Sequence, residues 1–262
     1  MITTGMARLL GVGLLFCSFG ISARVEAAEI RVMISGGFME AYRQVLPGFE
    51  AQTGHRVITI GGASMGNAPD SIPVRLARGE AADIVILAES GVETFIKEGR
   101  VVPGSRVDLA RSIIGMAVRA GAPKPDISTV EALRRTLLEA KSVGYSASAS
   151  GVYLSTEMFK ALGVEEQMRV TGRRIVSERV GAVVARGEVE IGFQQVSELV
   201  PIPGLDYVGP LPAPLQRVTI FSAGLSATAQ EPEAARALIA YLSGPAAGPV
   251  LAKLGLERPG PR

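Results

Sequence analysis

"EIRVMISGGFMEAYRQVLPGFEAQTGHRVITI", residues 29–60, decides the fold. "EIRVMIS" alternates as a strand does, "GFMEAYRQVLPGFEAQTG" repeats apolar side chains at helical spacing until Gly54, and "HRVITI" reads as a strand again. A strand, a helix and a strand in that order form a βαβ unit, whose two strands run parallel. The pattern continues through the glycine-rich loop "GGASMGNAPD", the helix "SIPVRLARGE", the apolar strand "DIVILA" and the helix "ESGVETFIKEGR". A near-continuous apolar run such as "DIVIL" is what a parallel strand covered on both faces requires.

A further strand, "IIGMAVRAG", precedes "APKPDIST", whose prolines break the alternation where the chain changes lobe. The alternation then repeats: the helix "VEALRRTLLEA", the strand "SVGYS", a helix from about Gly151 to Leu162, and a short strand near Arg174 to Val176. After these come the helix "SERVGAVVARGE" and the strand "VEIGFQQ". Prolines keep "VPIPGLDYVGPLPAPLQ" extended, and the strand "RVTIFSAGLS" with the helices "EPEAARALIAYLSG" and "AAGPVLAKLG" closes the chain. The fold class is therefore α/β, with two Rossmann-like lobes, the second repeating the alternation of the first. Composition agrees, with 47% hydrophobic residues and 5% aromatic ones across 262 positions.

Residues 1–28 read as an export signal. Arg8 precedes the apolar run "LLGVGLLFCSFGIS", and "ARVEAAEI" offers small residues for cleavage after Ala27 or Ala28. The run is shorter than the roughly 20 apolar residues of a membrane span. The single cysteine, Cys17, falls inside this segment, and the bulky Phe16 before it does not suit a lipid-modified cysteine. Loss of Arg8, Arg24 and Glu26 turns a formal charge of +2 into +1, which excludes a general nucleic-acid binder.

The residues offer little for bond-making chemistry. "GYSAS" approaches the Gly-x-Ser-x-Gly nucleophile elbow but lacks the last glycine. A serine nucleophile also needs a base, and the one histidine, His55, lies in the turn "TGHRV", where it reads as a solvated turn residue. One histidine, no mature cysteine and no clustered carboxylates leave no metal site, and neither a dinucleotide fingerprint nor a P-loop appears, so no cofactor is expected. An enzyme on this scaffold would need an acid/base such as Asp83 or Glu89 working with a tyrosine.

Three loops stand where strands pass into helices: "SGGFM" at 35–39, "GGASMG" at 61–66 and "SASASG" at 146–151. Ligands of open α/β sheets sit outside the carboxyl ends of the strands, and helix N-termini there offer unpaired N–H groups to an anion. The candidate ligand-binding residues are Ser35, Gly36, Gly37, Phe38, Ser64, Met65, Ser148, Ser150 and Gly151. Taken singly, such serines cap helices and such glycines turn the chain. Their recurrence in two similar lobes points to a binding cleft. Arg179, at the start of "RVGA", presents a fork matched to a carboxylate, and Gln194 and Gln195, ending "VEIGFQQ", offer amides.

At these residues the chain resembles the periplasmic solute-binding proteins of ABC importers, in the molybdate-binding branch. The resemblance runs through "VMISGGFMEAY", "GEAADIVILAES", "ASGVYLSTEMFKALG", "GEVEIGFQQVSE" and "EPEAARALIAYLSGPAAGPVLAKLG". It implies a type II periplasmic-binding-protein fold whose lobes are joined by crossing strands, with residues 29–113 and 222–262 in lobe I and 114–221 in lobe II, and a monomer in the periplasm that closes on a small anionic solute without changing it. Its partners would be a membrane permease and an ATPase. In that family a serine of the first loop, a serine of the second, backbone amides before the "ASGVY"-like helix and a tyrosine hold the oxyanion. Here the first serine position reads as Gly37 with Ser35 displaced, Ser64 is kept, Ser150 and Gly151 match the amides, and Gln195 replaces the tyrosine. Together with Arg179, these departures favour a small organic carboxylate over molybdate, tungstate or another tetrahedral oxyanion. An exported enzyme and a sensory receptor are the remaining readings.

Overall fold

The computed structural model describes Met1 and residues 27–260, so the expected signal segment lies almost wholly outside the described residues. Two five-stranded sheets organise the chain. The first contains β1 (Glu29–Ile34), β2 (Arg56–Gly61), β3 (Ile84–Ala88), β4 (Val107–Ser112) and β10 (Thr219–Leu225), in the order β2-β1-β3-β10-β4. The second contains β5 (Ile114–Arg119), β6 (Val143–Ser146), β7 (Gly172–Ile175), β8 (Ile191–Gln195) and β9 (Leu205–Pro210), in the order β7-β6-β8-β5-β9.

Residues 29–60 form the expected βαβ unit. β1 and β2 pair in parallel from Glu29↔Arg56 to Ile34↔Gly61, around the helix Gly36–Thr53. Gly54 ends that helix in the left-handed region, with φ 74°, a conformation that glycine adopts without a side-chain clash. On β1, Ile30, Val32 and Ile34 pack with Phe38, Tyr42 and Leu238 on one face, while Met33 joins Val85, Leu87 and Phe95 on the other. Both faces of the sheet are covered, which explains the apolar runs. The second sheet is built alike, with Met116, Leu133, Phe159 and Phe193 on one side and Val180, Val184 and Val189 on the other.

Several elements depart from the sequence reading. β4 carries Asp108 and Arg111 and gives no strand signal, yet it pairs antiparallel with β10. The helix Glu165–Thr171 is an additional element. The helix expected from Gly151 begins at Ala149 and loosens into a π-helical turn at Leu154–Met158. There Ser155 Oγ and Thr156 Oγ1 donate to the carbonyls of Gly151 and Val152, and such back-bonding competes with the regular helix ladder.

The chain crosses between sheets at 112–114 and again at 210–219, and one side chain ties the crossings together. Gln216 Oε1 accepts from the Ile114 N–H at 2.9 Å, and Gln216 Nε2 donates to the Ile114 carbonyl, also at 2.9 Å. Ile114 is fully buried, so losing this amide strands its N–H. Gln216→Ala is therefore expected to cost about 1–3 kcal/mol of stability, read as a lower urea midpoint.

Candidate functional site

The first loop begins at Ser35, which caps the helix Gly36–Thr53 without making a side-chain cap bond. Its backbone N–H donates to the Ile86 carbonyl at 2.8 Å, while its buried Oγ has no partner among the described residues. Gly36 lies against the carboxyl of Glu198, so close that a Cβ there would stand 2.1 Å from Glu198 Oε1. Gly37 faces the Phe221 ring, where a Cβ would meet Cζ at 2.0 Å. A serine at 37, the position the resemblance points to, would collide with that ring. Phe38 is fully buried in the lobe I core rather than on the cleft.

Contacts across the lobes come from each loop. The Ser64 N–H donates to Ser148 Oγ at 3.1 Å, and Ser197 Oγ donates to the Gly37 carbonyl at 2.7 Å. In the third loop Ser146 Oγ is a hub. It accepts from the amides of Ser148 and Gly151, each at 3.3 Å, and pairs with Ser150 Oγ at 3.2 Å. The Gly151 amide, expected to face a ligand, thus turns inward to Ser146 Oγ, and Ser150 and Gly151 are both buried.

Between the lobes lies a cleft of 390 Å3. Lobe I supplies Gly36, Arg43, Gly62 and Asp70; lobe II supplies Ser146, Ser148, Arg179, Gln194 and Glu198. Of the expected residues, Gly36, Ser148, Arg179 and Gln194 meet there. Met65 instead lines a separate cavity of 300 Å3 with Glu89, Tyr153, Arg217 and Thr219. Gln195 is buried at the crossing strands: its Nε2 donates to Thr219 Oγ1 at 2.9 Å, and its Oε1 has no partner among the described residues.

Arg179 is the N-cap residue of the short helix Val180–Ala185, which is fixed through Val180, Val183 and Val184 in the lobe II core. Gln194, the penultimate residue of β8, accepts from the Gly181 N–H at 3.5 Å and donates to Glu198 Oε1 at 2.9 Å. Glu198 stands four residues on, in the helix Val196–Leu199. Removal from water pushes its carboxyl up to about 7, against the opposing pull of the Arg179 charge and the Gln194 amide. The folded protein therefore binds this proton more tightly than the unfolded chain does. The stability so gained is complete below pH 4.5 and is lost as pH rises through about 7. A urea midpoint that falls between pH 5 and pH 8, with Glu198→Gln flattening the slope, is the expected result.

The other candidates for chemistry sit elsewhere. His55 is buried rather than solvated, and its Nδ1 accepts from the Ala28 N–H at 3.0 Å. Asp83 is buried and accepts from the amides of Arg31, Gln230 and Glu231. Glu89 is paired with Arg106. The sequence reading passes over Glu198 and Arg43. The one signal for Glu198 is its spacing of four from Gln194, which a strand-to-helix switch in between obscures.

Residues 30–257 match the model of the bacterial extracellular solute-binding protein family. The chain belongs to that family. It is 45% identical to an aconitate isomerase of a Pseudomonas species over 244 residues, covering 93% of each chain. It is 28% identical to the molybdate-binding protein ModA of Azotobacter vinelandii over 258 residues, 94% of each. The solved periplasmic molybdate-binding protein of Azotobacter vinelandii superposes with a TM-score of 0.73 at 19% identity, over 88% of this chain and all of that one. At that identity the superposition speaks for the fold: two α/β lobes of the type II periplasmic-binding class.

Proposed function

We propose that this family member is exported to the periplasm and captures a small organic polycarboxylate, of the chemical class of aconitate, in the cleft between its lobes. The observation that carries the reading is Arg179 held at the cleft beside Gln194. A planar cation next to neutral amide and hydroxyl donors suits a carboxylate, and Arg43 adds a second positive group. The volume of 390 Å3 falls within the range of small-molecule sites. Binding by lobe closure needs only that the closed state hold the ligand more tightly than the open one. The loaded form would be delivered to a membrane permease driven by an ATPase. Thermal unfolding with trans-aconitate, citrate and tricarballylate tests the proposal, and the absence of any shift counts against it.

A second reading is favoured by Glu198 together with the 45% identical relative. A carboxyl that titrates near neutrality inside a ligand cleft is suited to moving a proton on and off carbon. On this reading the chain interconverts the two geometric isomers of aconitate. Proton NMR of cis-aconitate incubated with the protein separates the two: conversion establishes turnover, and binding without conversion supports a receptor.

A further inference from the structure

The charges around Glu198 bear on what must accompany an anion into the cleft. Two arginines, Arg43 and Arg179, line it against three carboxyls, Asp70, Glu178 and Glu198. Glu178 is engaged outward by Arg186, at 3.0 Å, and Asp70 lies in the second loop. Glu198 is different in kind, because its carboxyl sits on Gly36 at the start of an 18-residue helix. That is where the unpaired N–H groups and positive end of a helix attract an anion. One oxygen is engaged by Gln194, and among the described residues Oε2 accepts no hydrogen bond. Of the elements packed around it, β8 brings the uncharged Gln194, Arg179 precedes the helix Val180–Ala185, and the helix Gly36–Thr53 brings Arg43 to the same cleft. On β9, Tyr207 packs over Gly115 beside Val196, and burial pushes its hydroxyl up, so it stays neutral. An ionised Glu198 is thus an anion already standing at the anion site.

We propose that the cleft takes up a proton together with its polycarboxylate: Glu198 binds the proton as the ligand enters, and the neutral carboxyl then donates a hydrogen bond to it. This rests on the carboxylate reading above. The ligand's negative charge raises the proton affinity of Glu198, and a neutral Glu198 removes the repulsion, so each event favours the other by the same factor. The site accordingly selects a polyanion plus one proton, and affinity depends on pH although the ligand's own carboxylates are fully ionised.

Isothermal titration with tricarballylate, which has no double bond to move, tests this without interference from turnover. At pH 8, titrations in two buffers of different ionisation enthalpy should show uptake of nearly one proton per ligand. Affinity should fall about tenfold per pH unit between pH 8 and 9. Glu198→Gln, which keeps a donor and cannot ionise, should bind without proton uptake and with affinity independent of pH over that range. Tight binding by the unaltered protein with no proton uptake overturns the inference and leaves the carboxylate reading standing. That measurement does not depend on whether the variant folds. A Glu198→Gln protein that keeps the full pH slope likewise assigns the proton elsewhere and overturns it. No binding even at pH 6 removes the carboxylate reading, and the proton linkage with it.

Discussion

Arg179→Ala is expected to weaken polycarboxylate binding by about 10- to 150-fold, the equivalent of about 1.5–3 kcal/mol for hydrogen bonds to a charged group. The fold should be unaffected, with stability changed by about 0.5 kcal/mol or less, as for a surface position. The asymmetry follows from where the residue stands. Arg179 is partly exposed at the cleft, while the helix it precedes is anchored by Val180, Val183 and Val184 without its help. Arg179→Lys keeps the charge and loses the planar fork, so it should recover only part of the affinity. Titration of both variants with tricarballylate, beside urea unfolding of each, separates a binding role from a structural one. Equal affinity in all three proteins would take Arg179 out of the site.

Gly151→Ala is expected to be the most damaging small substitution in the third loop. A Cβ at 151 would lie 1.7 Å from the Ser146 carbonyl oxygen and 2.8 Å from the Ser146 nitrogen. Those atoms are backbone at the end of β6, in parallel register with β7 and close beside β8, and they cannot swing aside as a side chain can. The loss should reach about 3 kcal/mol, the upper end of overpacking costs, or a fall of about 6–12 °C in Tm for a chain of this size. The same shift would displace Ser146 Oγ from the amides of Ser148 and Gly151 and so disturb the lobe II wall of the cleft. Ser150→Ala removes only the 3.2 Å contact with Ser146 and should cost about 1 kcal/mol. Differential scanning calorimetry of the pair gives the comparison, and equal Tm values would contradict the packing argument.

The sequence is most legible where burial imposes a period. Residues 29–60 declare their strand, helix and strand because Ile30, Val32, Ile34 and Phe38 must all reach one core. β4 escapes notice because its pairing with β10 is set by a distant part of the chain, and its own side chains alternate weakly. The loops of the candidate site are visible through their glycines and serines, yet the roles divide in ways that composition does not encode. Gly36 makes room for a carboxyl, Gly37 for an aromatic ring, and Gly151 for backbone. Glu198 is silent for the same reason. Its importance comes from a contact with Gly36, 162 positions away in a different sheet's domain of influence, and no local pattern marks it.

A cleft that takes a polycarboxylate and not a tetrahedral oxyanion should tell the two ligand classes apart. Thermal unfolding against trans-aconitate, citrate and tricarballylate on one side, and molybdate, tungstate and sulfate on the other, tests it most directly. A ligand present at about 100 times its Kd adds about 2.7 kcal/mol, equivalent to about 5–10 °C for a chain of this size. That shift is expected with at least one polycarboxylate, together with its loss in Arg179→Ala and no shift with the oxyanions. A shift with molybdate and tungstate alone would contradict it.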